Sequence, residues 1–301
     1  RWRNGILIPR IEPMNLTTPP QRLDVILLSE DNRSRLLQLL DQERWTSLYL
    51  RSLVHEFGVS PTAHLEHGRF FGAMRGSHLT AVAFSGNSRN LTTLGEAADL
   101  VAVVARTFES VQPPRLFVGP ADHARLVREA FARHGAMPFL DREQFYYVLT
   151  PDMLVDQETV SLRPARLEDV ESVTLAQAAM TEEDLSVPRN HIDYTRLREI
   201  SRRRINGDKV WVVTEGSRLL FKTEESARSE DGVLIGGVFT DPEYRGRGLA
   251  RRGIGTWARI LFDRGLTLLA LHVNRDNLPA IHAYERVGFR RHTSLRLMLT
   301  Y

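Results

Sequence analysis

The chain has 301 residues, 42% hydrophobic and 26% charged, with 40 basic against 37 acidic side chains and a net charge of +3. That length predicts two domains, and the composition is that of a globular protein with substantial cores. With no cysteine there is no disulfide, Cys–Zn site or thiol nucleophile, which fits a reducing cytoplasm. No apolar run approaches the length of a membrane span. The basic residues are scattered among acids, so neither a membrane nor a nucleic-acid partner is expected.

In chain order, residues 1–21 show no sustained periodicity, end in Thr17-Thr18-Pro19-Pro20 and lack a secretion-signal core. They read as an N-terminal arm. A strand is predicted over Leu23–Leu28, then helices carrying Leu36 to Leu40 and spanning Trp45–Phe57. A hairpin follows, turning at Arg75-Gly76-Ser77 between Phe70 and Phe84. Glu96–Phe108 reads as an amphipathic helix, Arg115–Val118 as a strand, Asp122–His134 as a helix and Gln144–Leu149 as a strand. Pro151 and three acids between Thr150 and Glu158 mark the boundary, giving domains over 22–150 and 151–301. The second half restarts with a strand over Val160–Ala165 and helices over Leu167–Ala179 and His191–Arg204. A second hairpin then spans Lys209–Lys222.

The stretch that carries most chemistry is Val233 to Phe262. A β-rich run interrupted by Gly236-Gly237 ends at Asp241-Pro242, and a loop with Gly246 and Gly248 leads into a helix whose apolar residues recur at helical spacing. Strand, glycine loop and helix N-terminus together form an anion site, because free backbone N–H groups and the helix dipole both favour negative charge. Arg245, Arg247, Arg251 and Arg252 surround that loop, so a phosphate or pyrophosphate is the expected occupant.

Arg245-x-x-Gly248-x-Ala250 resembles the pyrophosphate signature of the GNAT acetyltransferases, and Asn277-x-x-Ala280-x-x-x-Tyr284-Glu285-Arg286-Val287-Gly288-Phe289 resembles the end of a GNAT domain. Both occur in the family's order and spacing. The resemblance implies an α+β fold of two tandem GNAT-like domains. Each would be a mostly antiparallel twisted sheet with a splayed strand pair, flanked by helices. It also implies acetyl-CoA as cosubstrate and no metal. Placing Gly76-Ser77 on Gly216-Ser217 and Phe131 on Tyr284 suggests an internal duplication. The first copy then lacks the CoA machinery, since it has no Arg/Gly loop and carries Phe131 and Ala124 where the second has Tyr284 and Asn277.

The resemblance further implies roles. The backbone of Val238, Phe239 and Thr240 would pair with pantetheine, and the Val238 N–H would polarise the thioester carbonyl. Main-chain amides of Arg245, Gly246, Arg247, Gly248, Leu249 and Ala250 would hold the pyrophosphate. Arg251 and Arg252 are either solvated helix charges or partners of the 3′-phosphate. Asn277 either binds the pantetheine arm or caps its helix. Tyr284 is the candidate general acid, against a core-packing role. For the general base Asp231, His272 and a water relay stay open. The expected reaction is acetyl transfer to a primary amine of a small molecule or peptide. Alternatives are a mycothiol-synthase-like enzyme acting on a thiol-sugar precursor, a non-catalytic acyl-CoA-binding module, and a nucleic-acid contact through Arg202-Arg203-Arg204. The acceptor pocket is expected to be lined by loops around Met180–Asp193, Glu224-Glu225 and the C-terminal Arg290–Tyr301.

Overall fold

A computed structural model describes residues 22–185 and 187–301; the arm expected over 1–21 lies outside the described residues. The first half builds β1 (Leu23–Leu27), α1 (Arg33–Gln42), α2 (Leu48–Phe57), β2 (Gly68–Arg75), β3 (His78–Gly86), β4 (Asn90–Gly95), α3 (Ala97–Ser110), β5 (Leu116–Pro120), α4 (Ala124–Arg133) and β6 (Leu140–Leu149). The second builds β7 (Arg163–Pro164), α5 (Val170–Leu185), α6 (Tyr194–Asn206), β8 (Val210–Glu215), β9 (Arg218–Arg228) and β10 (Gly232–Thr240). It finishes with α7 (Leu249–Asp263), β11 (Leu268–Asn274), α8 (Leu278–Val287) and β12 (Arg290–Leu299).

The fold is the mixed α/β type with sheets flanked by helices, but the two expected sheets are continuous. Twelve strands run in the order β1-β2-β3-β4-β5-β12-β6-β11-β10-β9-β8-β7. The duplication is legible in that order. From either edge inward the halves repeat position by position, and each has one parallel pair, β4 with β5 and β10 with β11. Both outer hairpins turn on a Gly-Ser pair whose glycine has positive φ, +59° at Gly76 and +56° at Gly216.

At the seam the halves exchange their last strands. β6 leaves the first half to pair with β11, from Leu149↔Leu269 to Gln144↔Asn274, and β12 leaves the second half to pair with β5. The cores record the exchange. Tyr147 and Leu149 of β6 are buried with Trp257, Leu261 and Tyr284 of the second half, while Met298 of β12 is buried with Phe117 and Phe131 of the first. A third cluster, including Leu48, Tyr146, Leu234 and Leu295, seals the seam under α2.

Some local expectations change. Asn90–Gly95, which stands where the duplication would put an Arg/Gly loop, is a strand, its Leu91 and Thr93 facing buried surroundings. The C-terminal Arg290–Leu299 is a strand, not a loop, and Glu224-Glu225 lie within β9. β7 shrinks to two residues because Pro164 has no N–H to give a ladder and the Val160 N–H donates to Thr256 Oγ1 at 3.1 Å.

The exchange predicts that residues 151–301 expressed alone, lacking β6, show no cooperative thermal unfolding, and that coexpression with residues 22–150 restores it. Circular dichroism melts decide this; a sharp transition in the isolated second half would show that β6 is dispensable.

Candidate active site

β10 and β11 pair only from Gly232↔Leu268 to Ile235↔Leu271, then part. On its other side β10 bulges: Gly236 faces Glu224 and Phe239 faces Lys222, leaving Gly237 and Val238 without a cross-strand partner. Gly237 has φ +56°, and a Cβ there would lie 2.7 Å from the Glu224 carboxyl carbon. Glycine is therefore required twice over, for the backbone angle and for the approach. The parted strands open a cleft of about 950 Å³, and the β10 edge from Gly236 to Thr240 lines it.

At the end of β10 a single turn over Pro242–Tyr244 leads to Gly246 and Gly248, at φ +75° and +72°, both opening on empty space. Gly248 is the N-cap of α7 and offers no side-chain cap, so the first-turn amides of a long helix are left for a ligand. Arg251 of that turn lines the cleft, and its buried Nε has no hydrogen-bond partner among the described residues. An uncapped helix start and an orphaned guanidinium nitrogen suit a polyanion such as the CoA pyrophosphate. Arg252 instead faces Glu158, at 3.9 Å. Arg245 spans two elements, donating from Nε to Thr240 O at 3.1 Å and from Nη2 to Glu183 at 3.0 Å. Arg247 stacks over Tyr244, its Cζ 5.2 Å from the ring centroid.

Of the other sequence candidates, the structure brings Tyr284, His272 and Asn277 to the cleft. Asn277 caps α8, its Oδ1 accepting from Ala280 N at 3.2 Å. Tyr284 packs beside Phe289 and is 6% exposed; burial, then the Asp184 charge, push its hydroxyl well above the ordinary phenol range, so it keeps its proton at neutral pH. His272 projects from β11 beside Tyr146, and desolvation pushes its pKa down to about 4, so the ring is neutral.

Asp231 is elsewhere. It lies at the start of β10, where Oδ2 accepts from Arg44 at 2.5 and 2.8 Å and Oδ1 accepts from Ser229 at 2.8 Å and from Arg51 at 3.4 Å. Burial alone would raise its pKa, but Arg44, Ser229 and Arg51 hold it below the usual carboxylate range. Asp231 ties α2 and the turn before it to the second half.

Asp184 falls within the expected pocket lining Met180–Asp193, but sequence reasoning did not name it as a candidate base. It lines the cleft from the last turn of α5, its carbonyl accepts from Arg142 Nη1 at 2.7 Å, and burial followed by the Glu183 charge raises its carboxyl pKa. A signal was present. Glu182-Glu183-Asp184 puts three acids at a helix C-terminus, where the dipole disfavours them, and such local violations mark functional sites.

Beneath the bulge lies a buried ionic cluster. Lys222, fully buried, contacts Glu224 and donates to Gln177 Oε1 at 3.1 Å, while Arg204 Nε reaches Glu224 Oε2 at 2.6 Å. Burial pushes the Lys222 pKa down; it would raise that of Glu224, but Lys222 and Arg204 hold that carboxylate below its usual range.

A splayed parallel pair beside an uncapped, glycine-led helix start is the geometry to set against known proteins. Residues 183–289 match the model of the Acetyltransferase (GNAT) family. A mycothiol acetyltransferase of Rhodococcus erythropolis is 40% identical over 72 residues, covering 23% of this chain and 24% of that protein, so the match spans only about a quarter of the relative's length. The fold extends further. A Drosophila protein of known structure superimposes with a TM-score of 0.67 at 16% identity, over 91% of this chain and 98% of its own. A tandem GNAT protein from the clavulanic acid biosynthesis pathway does so at 0.51 and 14%, over 93% and 98%. No helix among the described residues is long and apolar enough to cross a membrane.

Because Asp231 serves the seam, Asp231→Asn is expected to cost about 1–3 kcal/mol of stability at neutral pH. Its depressed folded-state pKa means the contribution is present above the unfolded carboxylate pKa and fades as pH falls through the folded value. Thermal melts across pH check this, with turnover unaffected.

Proposed function

We propose that the protein is an acetyl-CoA-dependent N-acetyltransferase acting on a primary amine by direct transfer. The observation that carries the reading is the parting of β10 from β11 after Ile235↔Leu271, which points an unpaired strand edge, an uncapped helix start and the Tyr284 phenol into one cleft. Bound acetyl-CoA supplies the acetyl group as a thioester, which the amine nitrogen attacks as the C–S bond breaks.

The residues of this chain do the rest. The free β10 edge pairs with the pantetheine arm as an added strand would, and Val238 N–H donates to the thioester carbonyl oxygen as negative charge develops there. Amides of Arg245 to Ala250 take the pyrophosphate, with the Arg251 guanidinium beside them. Tyr284, protonated because its surroundings disfavour phenolate, gives its proton to the departing thiolate and is restored by the proton that the acylated nitrogen loses as it becomes the amide. Asp184, whose carboxyl is poised above the ordinary range, takes a proton from the incoming ammonium. His272 is too weakly basic to share that task at neutral pH.

The mycothiol acetyltransferase relatives support acetyl transfer; with a quarter of one such protein aligned, their acceptor does not carry over.

Calorimetry with acetyl-CoA and thioester consumption with amines test the reading. Wild type is expected to bind acetyl-CoA; Gly248→Glu, which puts a carboxylate at the anion site, is expected to weaken binding at least roughly a hundredfold. Tyr284→Phe should retain binding while kcat falls about 10²–10³-fold. Unchanged kcat in Tyr284→Phe would remove the phenol from the chemistry.

The pH profile separates the bases. In wild type, kcat/KM rises with pH as Asp184 loses its proton, through a limb above the ordinary aspartate value. Asp184→Asn is expected to abolish that limb and lower kcat about 10²–10³-fold. His272→Asn should leave the limb in place; if it moved, His272 would be the base.

A further inference from the structure

The cleft does not end at the reacting centre. It continues under the C-terminal turn of α5 onto strands the second half does not own, reaching Val118 and Leu116 of β5 and Leu297 and Leu299 of β12. Leu297 stands opposite Val118 and Leu299 opposite Leu116, so the four side chains share one face of the sheet as an apolar floor. From β11, the floor lies beyond β6 on β12 and β5, two to three strand spacings or roughly 10–14 Å to the side. Met180 and Leu185 of α5 form the roof.

Charge is divided sharply along this cleft. Its arginines, Arg245, Arg251 and Arg286, all belong to the loop and to α7 and α8, on the side that suits phosphates. On the α5, β5 and β12 side the only charged lining residues among those described are Glu183, already paired with Arg245, and Asp184. Arg142, in the same cross-strand row as Leu297, reaches to the Asp184 carbonyl. An acceptor carboxylate or phosphate would meet anionic walls here, whereas an ammonium group meets Asp184 and an alkyl or aryl body meets leucine and valine.

We propose that the acceptor is a cationic amine with an elongated apolar body, its nitrogen at Asp184 and its body on the floor that the first half and β12 provide. The inference rests on the acetyl-transfer reading and gives it a substrate class. It also gives the first half a chemical task, that of a specificity wall.

The test is a kinetic series on the full chain with acetyl-CoA and butylamine, hexylamine, octylamine and phenethylamine, compared with spermidine, glucosamine and glutamate. Expected is a rise in kcat/KM of about fourfold per added methylene from butylamine to octylamine, with the polar amines and glutamate well below octylamine. In Val118→Asn/Leu299→Asn the octylamine advantage over butylamine should shrink at least tenfold. If that variant does not melt cooperatively, the wild-type series decides alone. Acetyl-CoA binding with turnover of spermidine, glucosamine or glutamate and no gain per methylene would overturn the substrate class and leave acetyl transfer standing. Absence of acetyl-CoA binding by calorimetry, or binding without turnover of any amine, would overturn the transfer reading and this inference together.

Discussion

The end of β11 has one neighbour. Once β10 turns away after the pair Ile235↔Leu271, the segment His272-Val273-Asn274 keeps its extended form only because Tyr146, Phe145 and Gln144 of β6 pair with it from the other side. A strand edge without a partner leaves backbone donors and acceptors to water and loses its fixed geometry. The cleft thus depends on a strand from the opposite half. Gln144 reinforces the link by donating to Asn274 Oδ1 at 3.0 Å, and Tyr146 carries it onward by donating to Trp45 O at 2.6 Å. The site is held open by pairing on its far side, not by any stiffness of β10 and β11 themselves.

The near side is held by a different force. A bulge in β10 needs Gly237 at positive φ, and the space its missing side chain leaves is taken by the Glu224 carboxylate. A buried carboxylate alone would be costly; with Lys222 and Arg204 in contact its charge is matched. Such a cluster is weak evidence for stability, since removing any one member strands the others. Its geometry is the informative part, because it fixes Glu224 against the turn that aims Val238 into the cleft. Gly236 is similarly constrained, as a Cβ there would run into the Ser226 hydroxyl.

How much of this was legible in the sequence follows from what each feature depends on. The anion site and α8 were read because they are local: Gly246, Gly248 and Asn277 announce backbone angles and caps within a few residues. Asp231 was drawn into the site by face parity with Val233. Parity is silent about position along a strand, and the six residues from Asp231 to Gly237 span roughly 20 Å. Asp184 lies in the expected pocket lining but is not legible as a base, because a helix ending at Ala179 leaves Glu182 to Asp184 in a loop with no fixed direction. The strand exchange leaves no local trace, since the alternation in Phe145–Leu149 is satisfied by either neighbour. Asn90–Gly95 has polar or glycine ends and two threonines, which hides a strand whose burial comes from tertiary context.

The same fold positions give opposite outcomes in the two halves, and comparing them shows what makes a site. In the first half β4 follows β3 without interruption through Gly95, and Glu96 alone joins it to α3, whereas residues 241–248 intervene between β10 and α7. With no bulge, no edge is turned outward; with no loop, no glycine-led amides are offered to an anion. Thr93 and His123 fill the parting of β4 and β5 with a buried hydrogen bond of 3.0 Å, and Phe131 packs edge-on against Phe108 where Tyr284 reaches the cleft. Desolvation lowers the His123 pKa, so that contact is a neutral one. The first half retains what the exchange requires, a complete strand to donate and an apolar β5 to receive one. Without a cleft of its own at that position, it lines a wall of the other's through Leu116 and Val118.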